Sequence, residues 1–236
     1  VSTGAALGSN VARLFHMNAK TRMLLIGCAT AGAMSSMFKA PVAAIVFAVE
    51  IFSLDLVFTS LVPLLLASVA AVITSYFFRG TDVLFSFELL DAWRVKDIIF
   101  YVFLGVATGI ASVYFSKMYF LITRFFGWFS NAYVKIGIAA LAIGLMLYLF
   151  PPLYGEGYGL INNLLNGNTE AALSGIQYQI DFNNIWMVIV ILLIIAVFKA
   201  IAMTTTFAAG GVGGIFIPTL FMGSALGNAV AKAINQ

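Results

Sequence analysis

The sequence predicts an all-α, polytopic membrane protein, and three observations carry that expectation. Of its 236 residues 62% are hydrophobic and 9% charged, with a mean hydropathy of +1.05. A soluble fold of this length cannot hide that much apolar surface, so lipid must face much of it. Second, residues 56–78, 98–116, 136–155, 182–198 and 200–231 contain no Asp, Glu, Lys or Arg. Each run is about as long as a bilayer-spanning helix or longer. Third, the runs are continuous rather than alternating with polar positions, which selects helices over a barrel.

Taken in order, the first apolar segment ends in a basic cluster, Arg13, His16, Lys20 and Arg22. The positive-inside rule puts that cluster on the cytoplasmic side. Residues 23–38 and 40–49 flank Lys39-Ala40-Pro41, a pattern for a helix, a turn and a half-length helix. After the run 56–78 comes a polar stretch holding Arg79, Asp82, Glu88, Asp91, Arg94, Lys96 and Asp97. It divides the chain into residues 1–78, the remainder of a first membrane half, a link at 79–97, and residues 98–236, the first part of a second half. Between Gly155 and Asn184 glycines and asparagines accumulate, so short helices and loops outside the hydrocarbon are expected there. In all, eight or nine helical pieces of unequal length are expected.

Composition also excludes classes. Net charge is +3, with 12 Lys and Arg against 9 Asp and Glu, and no basic tract is interleaved with aromatics, so nucleic acid is not a partner. The single Cys28 rules out an internal disulfide. His16 has no second His or Cys at metal-ligand spacing and reads as a solvated loop residue. The carboxylates concentrate in the polar links, and none pairs with another inside an apolar run, so an intramembrane enzyme is not expected. No basic leader precedes a short apolar region, and the start at Val1 reads as an internal cut.

One internal match stands out. Gly4-Ala5-Ala6-Leu7-Gly8-Ser9-Asn10-Val11-Ala12-Arg13 aligns without a gap to Gly223-Ser224-Ala225-Leu226-Gly227-Asn228-Ala229-Val230-Ala231-Lys232. Either two small-residue packing faces converged, or the halves are duplicated, as in transporters that hold substrate at a repeat interface. The register pairs Val1 with Leu220, so the counterpart of residues 210–219 would lie upstream of the chain.

That region carries the chemistry. Gly210-Gly211-Val212-Gly213-Gly214-Ile215-Phe216-Ile217-Pro218 directly precedes an apolar helix expected over 219–231. Glycines at 210, 211, 213 and 214 let the backbone bend and approach a ligand, and Pro218 suits a first helical turn. N–H groups near Gly214, Ile215 and Phe216 then point off a helix end carrying the equivalent of about +0.5 charge. Such an end attracts an anion without a fixed cation, weakly enough to let it leave. A plain glycine hinge between packed helices fits the same residues.

With these residues in view, the chain resembles the CLC chloride channel and antiporter family. Gly213-Gly214-Ile215-Phe216-Ile217-Pro218 is similar to that family's G-G-[IV]-F-x-P motif. Lys199 followed by Thr204-Thr205-Thr206, Phe38-Lys39-Ala40-Pro41 followed by Ile45-Val46-Phe47-Ala48-Val49-Glu50, and Tyr154-Gly155-Glu156-Gly157-Tyr158 resemble further family segments. Ala208-Ala209 depart from its usual Gly-Ser. The resemblance covers essentially the whole chain and implies an inverted-repeat helical membrane domain, incomplete at both ends, that lets chloride or other small monovalent anions cross a bilayer. It implies that the amides of Ile215 and Phe216 help hold chloride and that Phe216 lines the path. The family's gating glutamate and serine loop would fall before Val1 and its pore tyrosine after Gln236, so the chain alone is not expected to conduct.

The same resemblance bears on transport mode. Proton-coupled members carry a glutamate just after the position matched by Glu50, where this chain has Ile51. That favours a channel over a chloride/proton antiporter, unless a one-residue slip puts Glu50 at the proton position. A non-transporting scaffold or inactive fragment is the reading of another class. As a surface residue near Asp55, Glu50 equally reads as a helix-end carboxylate. Lys39 and Lys199 read as snorkelling or turn cations rather than intramembrane functional ones. A homodimer meeting through Pro41–Phe52 and residues 57–78 is implied by the family, and no cofactor or metal is implied.

Overall fold

In the computed structural model, residues 1–55, 57–85, 94–177 and 180–235 are described. Glu88 and Asp91 of the polar stretch lie outside them. The chain forms two compact units, residues 1–85 and 86–236.

The first unit contains α1 (Ser2–Leu14), α2 (Ala19–Phe38), α3 (Pro41–Phe52) and α4 (Phe58–Arg79). Asn18 caps α2 by accepting from the Thr21 N–H at 2.9 Å. Lys39 ends it in the left-handed region (φ 54°), and Pro41 opens α3, so the helix–turn–helix expected around Lys39-Ala40-Pro41 is present. α1 lies close on α2 because Gly4 and Gly8 have no side chain. A Cβ on Gly4 would sit 2.6 Å from the Ala29 carbonyl oxygen, and one on Gly8 2.9 Å from that of Leu25. Between α2 and α4 hydroxyls join the backbones: Ser35 donates to the Ser68 carbonyl and Ser75 to that of Ser36, each at 2.8 Å. Close backbones bridged by small hydroxyls are how helices associate where lipid removes the hydrophobic drive. Cys28, Ala31, Ala48 and Leu64 form the core they enclose.

The second unit contains α5 (Ile98–Gly127), α6 (Ala132–Leu149), α7 (Tyr158–Leu165), α8 (Thr169–Ala172), α9 (Ile185–Ala208) and α10 (Phe216–Ile234). α9 is the centre, packed against α5, α6 and α10 with Leu192, Ile195 and Ala200 fully buried. The Tyr114 hydroxyl of α5 donates to the Val197 carbonyl at 3.2 Å, and Phe150 stacks on Phe198 with centroids 5.3 Å apart. The wet stretch after Gly155 folds into the short helices α7 and α8, as its composition predicts.

Among the described residues four helices, α4, α5, α6 and α9, are long and apolar enough to cross a membrane. The charge-free runs mark them, but the bounds differ. α5 continues past Lys117 and Arg124 to Gly127, and α9 runs through Lys199 to Ala208 instead of breaking there. A single long cation does not interrupt backbone hydrogen bonding, since its stem packs like an aliphatic chain.

Candidate functional site

The glycine segment begins as the stop of α9. Gly210 lies at φ 95°, its N–H donates to the Phe207 carbonyl at 2.9 Å, and the Gly211 N–H donates to that of Thr206 at 2.9 Å. This pair of bonds around a left-handed residue is a Schellman cap, which satisfies two of the carbonyls that a helix end leaves over. Gly211 is held by space as well, since a Cβ there would lie 2.7 Å from Thr206 Cγ2. Two of the four glycines therefore serve the helix stop.

The other two do not. A Cβ on Gly213 would make ordinary contact with the Phe207 ring at 3.6 Å, and one on Gly214 would meet nothing within 4 Å. Neither has a positive φ. Both are exposed, as is Ile215. Packing inside this unit makes no demand for glycine at 214, which leaves a bare strip of backbone leading into α10.

α10 starts at Phe216, three residues before the expected position, with Ile215 at the N-cap and no side chain capping it. Pro218 thus occupies the third helical position, and the first closing bond runs from the Thr219 N–H to the Ile215 carbonyl at 3.1 Å. Gly214, Ile215 and Phe216 stand together at the positive end of the helix dipole, in a first turn where Pro218 offers no N–H of its own.

Facing this turn is a cavity of about 470 Å³ whose lining includes Gly213, Gly214 and Pro218 on one side and Glu156 and Lys199 on another. Lys199 departs from the sequence expectation of a snorkelling or turn cation: it lies mid-helix and is only 4% exposed. Its Nζ donates to the carbonyls of Leu153 (3.1 Å) and Gly155 (2.8 Å) and stands 4.5 Å from the centroid of the Phe221 ring on α10. The Glu156 carboxylate acts on it electrostatically. Gly157, at φ 86°, packs where any Cβ would overlap Phe221. Lys199 and Phe221 therefore fasten residues 153–157 to α9 and α10 together. The one available sequence signal was a lone cation flanked on both sides by charge-free runs. At the edge of the same loop, burial and the Glu156 carboxylate, which accepts from its hydroxyl, push Tyr158 up to about 12.

The remaining sequence candidates belong to the first unit. Glu50 is exposed in the last turn of α3, and Ile51 beside it is 59% exposed. Lys39 donates to the Gly80 carbonyl at the end of α4 and sits 4.5 Å over the Tyr76 ring, a turn cation as expected. His16 is exposed in the turn after α1. Lys20 of the basic cluster pairs with Asp55 at 4.0 Å on the surface, an interaction that contributes little.

Comparison with known proteins covers the whole chain. The family described as voltage gated chloride channel matches residues 1–236. A putative chloride channel protein ClcB-like from Ralstonia nicotianae is 27% identical over 95% of this chain and 48% of its own length. The H(+)/Cl(-) exchange transporter ClcA of Vibrio cholerae is 27% identical over 97% of this chain and 47% of its own. The voltage-gated ClC-type chloride channel ClcB of Salmonella typhimurium is 25% identical over 94% and 49%. The chain spans about half the length of the curated relatives it matches. With four helices able to cross a bilayer and this match from end to end, the chain is an integral, multi-pass membrane protein and belongs to the voltage gated chloride channel family.

Proposed function

We propose that this chain supplies part of the anion pathway of a CLC-type protein, passing chloride or another small monovalent anion down its electrochemical gradient. The observation that carries the reading is the uncapped start of α10. Bare backbone at Gly213 and Gly214 leads into a helix end whose N-cap residue, Ile215, brings no capping side chain. The dipole and the turn's amides offer an anion partial positive charge. A full cation in their place would hold the ion too long for conduction. Lys199 adds charge at the cavity wall while two of its donors are engaged by carbonyls. The work is transport rather than catalysis and takes no cofactor. The assembly is a homodimer, each subunit with its own path.

A channel is the first reading because Ile51, next to Glu50, cannot accept a proton. The second is chloride/proton exchange, favoured by the similarity to a relative named as an exchange transporter. Proteoliposomes holding the complete protein that carries this sequence test both, with external chloride and pH recorded together. Chloride efflux without proton movement supports the channel, and efflux coupled to proton uptake supports exchange through a group other than Ile51. Absence of anion flux overturns transport and leaves a membrane scaffold.

A further inference from the structure

The turn between α5 and α6 gathers features that the anion pathway does not use. Residues 98–155 contain Lys117, Arg124 and Lys135 and no Asp or Glu at all. Arg124 is exposed in the last turn of α5, and the residues that follow it form an aromatic cluster: Phe125 stands 5.4 Å from Phe129 and 6.0 Å from Trp128, ring centre to ring centre. Trp128 is 76% exposed. A tryptophan and an arginine closing an apolar hairpin mark the headgroup level of a bilayer, and the excess of cations marks the leaflet rich in anionic lipid.

At this level a cavity of about 440 Å³ opens between α5, α6 and α9. Arg124 and Trp128 line one end. From there the lining follows Ile138, Ala142 and Met146 along α6. Those three positions lie on one face and extend about 12 Å inward at 1.5 Å per residue. Apart from Arg124 and Thr205 the lining is apolar. A cation at the mouth and a straight apolar slot behind it match an amphiphile with an anionic head.

We propose that this slot binds one anionic glycerophospholipid, its phosphate paired with Arg124 and one acyl chain lying along α6. The guanidinium fork suits phosphate oxygens, and the acidic residues that would compete for it are absent from the hairpin. Because hydrocarbon in the slot gains little over hydrocarbon in the bilayer, the headgroup decides the selection and the slot decides where the lipid sits.

The test uses the complete protein in vesicles of equal phosphatidylglycerol and phosphatidylcholine with identical acyl chains, extracted in mild detergent, with retained lipids counted by native mass spectrometry. Phosphatidylglycerol should be retained over phosphatidylcholine about five-fold for one cation near the membrane surface. Arg124→Gln should bring the ratio towards one. Ala142→Trp, which fills the slot and leaves Arg124 in place, should do the same. Lys135→Gln, on the same hairpin and outside the lining, should leave the ratio unchanged. Equal retention of the two lipids, a ratio indifferent to Arg124→Gln, or an equal loss in Lys135→Gln would each overturn the site. These outcomes do not depend on whether the protein transports anions.

Discussion

Lys199→Met is the sharpest probe of how the second unit is held. Met keeps an unbranched apolar stem of similar reach and removes only the ammonium. Two hydrogen bonds are lost, to carbonyls at 3.1 and 2.8 Å, together with a cation–ring contact at 4.5 Å. A bond to a charged group contributes about 1.5–3 kcal/mol net, and a desolvated cation–ring contact about 2 kcal/mol. Against this, the variant escapes the several kcal/mol that burying a cation costs. The balance is a loss of about 2–3 kcal/mol, and at about 2–4 °C per kcal/mol for a chain of this size the expected drop is about 5–10 °C. The assay is the fraction of monodisperse protein surviving a heating series by size-exclusion chromatography, run identically for each variant because unfolding is followed as irreversible loss. Lys199→Arg, which keeps charge and donors, should lose less than half as much. A drop below about 1 °C in Lys199→Met would refute the reasoning, because the ammonium would then be holding nothing that its burial does not cancel.

Further outcomes follow from the same geometry. Gly157→Ala should destabilise by about 2–4 kcal/mol, from the positive φ and the overlap with Phe221, and a second change, Phe221→Leu, should restore the overlap part in a double-mutant melting series. Gly210→Ala should cost about 1–2 kcal/mol for its left-handed backbone, measured in the same series. Gly214→Ala should leave stability within about 0.5 kcal/mol while anion flux falls, since its Cβ meets nothing inside the fold but stands on the bare strip before α10. Tyr158, held at about 12, keeps its proton where a free tyrosine has ionised. The unfolded chain therefore releases it first, and stability falls as pH climbs from about 10 to about 12. Tyr158→Phe should remove that part of the alkaline slope and Glu156→Gln should reduce it, as read from melting temperatures across that range.

How much of this was legible depends on what each residue type can signal. Continuous apolar runs announce membrane helices, because nothing but lipid or protein can cover them, and Lys39-Ala40-Pro41 announces a turn because proline forbids the preceding helix from continuing. Helix ends marked only by charge were misplaced. Lys117, Arg124 and Lys199 sit inside helices, where a long flexible stem tolerates both burial and exposure. The early start of α10 was invisible because its first residues are Ile and Phe, with no capping side chain to mark the boundary. The glycines at 210, 211, 213 and 214 look alike in sequence. Only backbone angles and neighbours separate the pair that stops α9 from the pair that packing does not require. The repeat divides in the same way: Gly4 and Gly8 are demanded by the closeness of α2, whereas a Cβ on Gly223 or Gly227 would meet nothing within 4 Å. Close packing therefore accounts for the glycines of one copy and not for those of the other.

The placement of Lys199 bears on how a bare loop keeps its shape. Residues 211–214 have no regular structure and are exposed, so their geometry must come from what they join. On one side stands the cap of α9 at Gly210, and on the other the first turn of α10. Lys199 lies eleven residues before that cap, about 16 Å along α9, and Phe221 lies five residues into α10, about 7 Å from its start. Tying these points fixes the angle between the two helices and hence the span the loop must bridge. If α10 aims at the anion, loosening Lys199 must change flux as well as stability, whereas Gly214→Ala changes flux alone. Observing both patterns in one set of variants would separate the residues that aim the helix from those that meet the ion.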